Sequence, residues 1–357
     1  MIDTPTAPLD DVGGPAQPLL SVRGLTKHFP LKGQLLGGSA GVVRAVDDVD
    51  FTVRKGETLG VVGESGCGKS TTARLLMHLI AADTGEIVFD GCVVGSRQLP
   101  WKAFRRQVQM VFQDSYSSLN PRLTIEDSIA FAPQVHGVAR REAVERARDL
   151  LTRVGLEPRR FAERYPHELS GGQRQRVNIA RALALQPRLI ILDEAVSALD
   201  KSVEAQVLNL LLDLKDAFGL TYVFISHDLH VVRYISDRVM VMYLGQVAEL
   251  GPVEAIFDAP RHPYTQALLA SMPTMDPDRR TEEAPLAGDP PNPINPPPGC
   301  RFHTRCPHAE AVCKLKAPRV QAGSSSAHAV ACLMHEPGSG HGRAARGDTP
   351  AMAQAAE

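Results

Sequence analysis

Residues 58–80 read TLGVVGESGCGKSTTARLLMHLI, and they place a strand, a glycine turn and a helix in that order. The apolar, β-branched run Thr58 to Val62 predicts a buried strand, and Thr71 to Ile80 carries apolar residues at helical spacing. Between them lies Gly63-Glu64-Ser65-Gly66-Cys67-Gly68-Lys69-Ser70-Thr71, which fits the phosphate-binding P-loop pattern. The glycines let the backbone fold tightly, so that successive N–H groups converge on phosphate oxygens, and the helix N-terminus adds its partial positive charge. Lys69 is placed to reach the β and γ phosphates of ATP, and the Ser70 hydroxyl to bind Mg²⁺. A glycine-rich turn alone binds nothing in particular. The strand before it and the helix after it are the context that the motif requires.

Further along, Arg188-Leu-Ile-Ile-Leu-Asp193-Glu194 reads as a buried parallel strand ending in two acids. In an open α/β sheet the ligand crevice lies beyond the carboxyl ends of the strands. Asp193 there suits the Mg²⁺ shell, and Glu194 is positioned to polarise an attacking water. A strand ending in acids is ordinarily just a strand end; the P-loop upstream gives this one its meaning. Between the two motifs stands Leu169-Ser170-Gly171-Gly172-Gln173, followed by the helical pattern RQRVNIARALAL. In isolation Ser170 would be a helix N-cap with loop glycines. The same turn, however, exposes amides at a helix N-terminus and so forms a second anion-binding surface.

This pentapeptide resembles the signature of the ABC ATPases, and the remaining elements of that family follow in register. Gln113 in VFQD is similar to the Q-loop glutamine that contacts Mg²⁺ and water. Residues 197–200, Ser-Ala-Leu-Asp, resemble the D-loop, and His227 in ISHD the H-loop histidine that contacts the γ phosphate. Phe29 in LTKHF falls where the family stacks an aromatic on adenine. One departure is Ala195, where the family usually has proline after the glutamate; the expected cost is local rigidity, not catalysis. The resemblance implies an α/β P-loop NTPase fold with a RecA-like core, an antiparallel β subdomain and a helical subdomain. It narrows at VGESGCGKST, QMVFQDSYSSLNPR, AVSALDKSVEAQVLNLL and HPYTQALL, which look like the oligopeptide and dipeptide importer ATPases. The stretch Tyr116 to Arg122 resembles the subunit that pairs with a second, related ATPase. Implied partners are that second ATPase, two transmembrane permease subunits and an extracytoplasmic peptide-binding protein, at the cytoplasmic face of the membrane. Relatives also carry nickel or other small solutes, so cargo rests on analogy.

The rest of the 357 residues agrees with this reading. Strand-like runs (Val49–Val53, Val108–Phe112, Tyr222–Ser226) alternate with helical ones (Arg140–Val154, Lys201–Phe218), as an α/β domain with a largely parallel sheet requires. Apolar runs are strand-sized, well short of the roughly 20 residues a membrane span needs. A net charge of −1 with mixed signs argues against a nucleic-acid partner. The N-terminus lacks the basic and apolar segments of a secretory signal. A soluble ABC ATPase of DNA repair or translation is the rival class; such proteins carry a coiled coil between the motifs or two cassettes, and this chain has compact spacing and one set.

Residues 1–18 read as a flexible leader, 19–255 as the ATPase domain, 256–335 as a small irregular region and 336–357 as a disordered tail. In the third segment PLAGDPPNPINPPPG forbids helix and central strand. Cys300, Cys306, Cys313 and Cys332 follow it, and in a reducing compartment such a cluster suggests metal more than disulfides. The importer resemblance implies a four-iron, four-sulfur cluster held by these four thiolates. Structural zinc is the alternative, with His303, His308, His328 and His335 nearby, although the cysteine gaps of five, six and eighteen exceed those usual for zinc. Free or disulfide-paired thiols remain a third reading.

Overall fold

A computed structural model of the chain describes residues 14, 17–31, 41–272, 291–322 and 328–344. The expected leader thus lies almost entirely outside the described residues, as do 345–357 of the expected tail. In chain order the elements begin with β1 (Leu20–Pro30), β2 (Val42–Val53), β3 (Thr58–Val62), α1 (Lys69–Leu76), β4 (Thr84–Phe89), β5 (Cys92–Val93), α2 (Trp101–Gln107) and β6 (Val108–Val111). Next come α3 (Ile125–Val135), α4 (Arg140–Arg153), α5 (Pro158–Phe161), α6 (Gly171–Leu183), β7 (Leu189–Asp193), α7 (Lys201–Phe218), β8 (Thr221–Ile225) and α8 (Leu229–Ile235). The chain continues through β9 (Arg238–Tyr243), β10 (Gln246–Pro252), α9 (Val253–Asp258), α10 (Pro263–Ala270), α11 (Ala311–Leu315), β11 (Gln321–Ala322) and β12 (Ala329–Val330).

Two sheets organise these elements. The larger has the strand order β11-β12-β10-β9-β3-β8-β7-β6. Its β9-β3-β8-β7-β6 portion is parallel, and β10, β12 and β11 extend it in antiparallel fashion. Every residue of β3, β7 and β8 is buried, which is why these strands read as unbroken apolar runs instead of alternating ones. The smaller sheet, β2-β1-β4-β5, is antiparallel.

Two apolar cores result. One joins the smaller sheet to one face of the parallel strands through Leu20, Val46, Phe51, Leu59, Phe104 and Met240. The other packs the helical segment α3 to α6 against the opposite face through Ile125, Ile129, Leu151, Val177, Ile190 and Phe224. The α/β class and the three-part division of the cassette agree with the sequence reading.

Beyond β10 the chain is irregular but tied down. The stretch 291–299 has neither helix nor strand, and the Pro293 carbonyl accepts from the Arg44 N–H at 3.2 Å. Glu249, fully buried in β10, accepts from the N–H groups of Arg261 (2.7 Å) and His262 (3.0 Å) and meets His328 Nε2 at 2.7 Å. One carboxylate therefore fastens three points of the C-terminal region to the main sheet. Within the segment expected to be a disordered tail, residues 336–344 are packed: Glu336 meets Lys316 Nζ at 2.6 Å, and Ser339 and His341 are buried. Glycine and charge content suggested disorder there; long-range hydrogen bonds supply the order instead.

Candidate nucleotide-binding site

The turn between β3 and α1 is tight enough that only glycine fits at its two framing positions. Gly63 has φ +148° and Gly68 φ +108°, and a Cβ on either would stand 2.2 Å from a carbonyl oxygen, of Met242 and Ala45 respectively. The loop closes on Lys69, whose side chain is buried and donates to the carbonyls of Gly63 (2.7 Å) and Glu64 (3.0 Å). Cys67 is buried beneath the loop, its thiol pKa pushed up by that burial, and its carbonyl accepts from the Gly245 N–H at 2.8 Å.

At the carboxyl ends of the strands the acids assemble around this loop. Ser70 Oγ donates to Asp193 Oδ1 at 2.9 Å, and burial raises the Asp193 pKa above the usual carboxylate value. A hydroxyl facing a desolvated carboxylate is a hard-oxygen donor pair suited to Mg²⁺, so the donor set fits the ion. Glu194 stands between two polar side chains: Gln113 Nε2 donates to its Oε2 at 2.8 Å, and His227 Nδ1 lies 3.4 Å from the same oxygen. Its backbone is in the left-handed region, φ +49°, a costly conformation for a non-glycine residue. Three bonds hold it there: the Glu194 N–H donates to the Ile225 carbonyl (2.9 Å), and the Glu194 carbonyl accepts from Ser197 N–H (3.2 Å) and Ser197 Oγ (3.0 Å). Ala195, the departure from the family pattern, is buried beside this turn.

A groove of about 370 Å³ opens over these groups. Ser65, Gly66, Gly68, Lys69, Ser70, Thr71, Gln113, Glu194 and His227 line it, with Val43 and Ala45 of β2 on the far wall. The two β2 residues carry no motif, and nothing in the sequence marks them. Phe29 does not line the groove, but it pairs in register with Val43 and has Lys27 Nζ 5.5 Å from its ring centre. Glu64 is turned elsewhere: its carboxylate meets Arg305 at 2.8 and 3.1 Å, across 241 residues of chain.

Ser170, Gly171, Gly172 and Gln173 do not line this groove. They open α6, where Ser170 and Gln173 form a reciprocal capping box: Gln173 N–H donates to Ser170 Oγ (3.3 Å) and Ser170 N–H to Gln173 Oε1 (3.0 Å). Gly172 is also pressed by α7, since a Cβ there would lie 2.4 Å from Val203 Cγ1. Lys201, at the start of α7, bonds Asp228 at 2.8 Å, and Asp228 caps α8 beside His227.

In the C-terminal region Cys300, Cys306, Cys313 and Cys332 line one small enclosed cavity together with His262, His303, His308 and His341. Burial pushes the thiols of Cys300, Cys306 and Cys332 up, Cys300 to about 12 and Cys332 to about 11. Among the described residues no three His, Cys, Asp or Glu side chains are gathered closely enough to hold a metal ion. His328 bonds Glu249 and His335 the Arg261 carbonyl, so these two histidines are engaged away from the thiols.

A P-loop, a strand-end Asp-Glu pair and a histidine gathered at one groove, with a capped Ser-Gly-Gly helix start standing apart from it, define an ATP-binding cassette. The comparisons agree: residues 46–197 match the family described as "ABC transporter", and 248–313 match "Oligopeptide/dipeptide transporter, C-terminal region". The chain belongs to the ATP-binding subunits of ABC transporters, and its activity is that of an ATPase. It is 54% identical over 321 residues to a probable peptide ABC transporter ATP-binding protein of Sinorhizobium fredii, covering 89% of this chain and 90% of that one. It is 50% identical over 322 residues to the oligopeptide transport ATP-binding protein AppF of Bacillus subtilis, with 89% and 97% covered. Among solved structures, an ATP-binding cassette dimer in a post-hydrolysis state bound to ADP and Pi is 29% identical, with a TM-score of 0.56 over 66% of this chain and 98% of that one. A component of an ABC transporter complex from Clostridium perfringens is 26% identical, with a TM-score of 0.58 over 68% and 91%.

Proposed function

We propose that this chain binds and hydrolyses ATP to power peptide import, working as one of two cassettes beneath two transmembrane permease subunits. The observation that carries the ATPase assignment is Glu194, a carboxylate held between Gln113 and His227 at the mouth of the P-loop groove. Lys69 exchanges its bonds to the Gly63 and Glu64 carbonyls for phosphate oxygens, and the loop amides supply the rest of the cradle. Ser70, Asp193 and Gln113 are the residues that would hold Mg²⁺, which when bound neutralises charge on the phosphates. Glu194 orients and polarises the attacking water, and His227 faces the γ phosphate. Phe29, one register position from the groove wall, supplies the adenine platform.

The signature residues Ser170, Gly171, Gly172 and Gln173 stand apart from the chain's own groove, which favours a role in a partner's nucleotide site within a pair of cassettes. The identities of 54% and 50% to proteins named for peptide transport support peptide cargo, with an extracytoplasmic binding protein delivering it and this subunit at the cytoplasmic face. The described residues contain no helix long and apolar enough to cross a membrane, so the translocation path belongs to the permeases.

The four cysteines fit a four-iron, four-sulfur cluster in residue type and in facing one cavity. Their sequence gaps of five, six and eighteen exceed those usual for zinc and so favour the cluster over that ion. Anaerobically purified protein is expected to be brown with about four iron and four sulfide per chain; colourless protein with stoichiometric zinc would favour the rival. The test of the whole reading is reconstitution with the permeases in proteoliposomes. ATP-dependent accumulation of labelled peptide is expected; ATP-dependent uptake of nickel without peptide uptake would reassign the cargo, and ATP hydrolysis indifferent to permeases would remove the transport assignment.

A further inference from the structure

Inside the P-loop sits a carboxylate. Glu64 follows Gly63 directly and precedes Ser65 and Gly66, which line the groove. A loop that gathers a polyanion gains nothing from a negative charge of its own, because like charge disfavours the bound phosphate at close range. The structure deals with that charge through the C-terminal region. Arg305 Nη1 and Nη2 meet the two Glu64 oxygens at 2.8 and 3.1 Å, a bidentate pairing. The Arg305 side chain is 5% exposed and that of Glu64 21%, so the pair is screened far less than a surface bridge.

The same neighbourhood holds the loop's main chain. Tyr264 Oη accepts from the Glu64 N–H at 2.9 Å. Its ring packs with Tyr243 (4.5 Å between centres) and Phe302 (5.5 Å), and Arg305 N–H donates to the Phe302 carbonyl at 3.0 Å. Arg305 thus sits on a turn seated against the cassette by an aromatic cluster, one residue before Cys306.

We infer that Arg305 is a positioning residue for ATP binding: it draws the Glu64 carboxylate out of the phosphate groove and cancels its charge, so that the C-terminal region completes the P-loop. This rests on the P-loop being the ATP site. Removing Arg305 leaves Glu64 unpaired beside the phosphates and weakens nucleotide binding; removing the Glu64 charge as well restores it. A merely structural tie would behave oppositely, since deleting both partners repairs no packing.

The experiment is calorimetric titration of the full chain with the non-hydrolysable analogue AMP-PNP and Mg²⁺, with melting in the absence of nucleotide as the check on folding. Arg305→Ala is expected to raise Kd about tenfold, Arg305→Lys and Glu64→Gln by no more than about threefold, and the double variant Arg305→Ala/Glu64→Gln to return to within about threefold of the starting protein. Where Arg305→Ala does not fold, Arg305→Gln, which keeps the side chain's bulk, carries the same expectations. An unchanged Kd in Arg305→Ala, or a double variant as weak as Arg305→Ala alone, overturns the inference. Lys69→Ala is the control on its foundation: it abolishes binding if the P-loop holds ATP, and near-normal binding by Lys69→Ala would refute that assignment instead.

Discussion

The cassette and the region beyond β10 are ordered by different physics. In the cassette the chemistry lies in short contiguous motifs whose local geometry is dictated by residue type: glycines at φ +148° and +108° in the P-loop, and a Ser170–Gln173 capping box at α6. In the C-terminal region little is local. Its helices are short, its strands have two residues each, and it is held by single buried groups such as Glu249 and Arg305 that bond across long stretches of chain. Substitutions in the first region should therefore change chemistry with little loss of stability, and in the second stability with little direct effect on the reacting atoms.

The largest expected effect is at Glu194. Glu194→Gln removes the charge that polarises water but leaves the phosphate contacts in place; turnover should fall about 10³-fold while AMP-PNP affinity and melting temperature stay near their starting values. Near-normal hydrolysis by Glu194→Gln would undo the assignment and with it the idea that the cassette's chemistry is local.

Next is Glu249→Ala. It leaves the buried His262 N–H, the part-buried Arg261 N–H and His328 without their acceptor, and such a loss costs about 3 kcal/mol. Limited proteolysis should cut first beyond β10 while the cassette core resists, with nucleotide affinity falling about tenfold, as in Arg305→Ala, once Arg305 is released. Simultaneous loss of both regions would show that they unfold as one unit and would blur the contrast.

The smallest effect is pH dependence. His262 is buried, and burial lowers its pKa to about 4 despite the opposing pull of Glu249; its Nδ1 accepts from the Tyr264 N–H at 3.0 Å, which requires the neutral ring. The unfolded chain, with its histidine near 6.5, binds more protons between pH 6.5 and 4. The contribution of neutral His262 is thus fully present above pH 6.5 and is lost as pH falls toward 4, at no more than about 1.4 kcal/mol per pH unit. His262→Asn, which keeps a side-chain acceptor for the helix start, should flatten the melting temperature between pH 7 and 5. An unchanged slope would assign the acid sensitivity to other groups, of which His335, also lowered by burial, is the first candidate.

Much of this is legible in the sequence. Fully buried parallel strands appear as unbroken apolar runs, so residue type alone places β3, β7 and β8. Gln113, Glu194 and His227, drawn from three separate stretches, do meet at one groove. The ordered end is not legible: residues 336–344 are rich in glycine and polar groups, yet they pack through Ser339 and His341. Nor is the groove wall formed by Val43 and Ala45, since small apolar residues in a strand carry no mark of a binding surface.

The sequence by itself settled the class of fold, the P-loop, the acid pair and the capped signature helix, because turn geometry, helix capping and strand burial depend on residues close together in the chain. The tertiary structure alone decided that Glu64 points to Arg305 and not into the groove, that Glu249 gathers Arg261, His262 and His328, and that four cysteines spread over 33 residues of sequence line one cavity. Each of those depends on where distant segments come to rest, and a bond between residues 64 and 305 leaves no periodicity or spacing in the sequence from which it could be read.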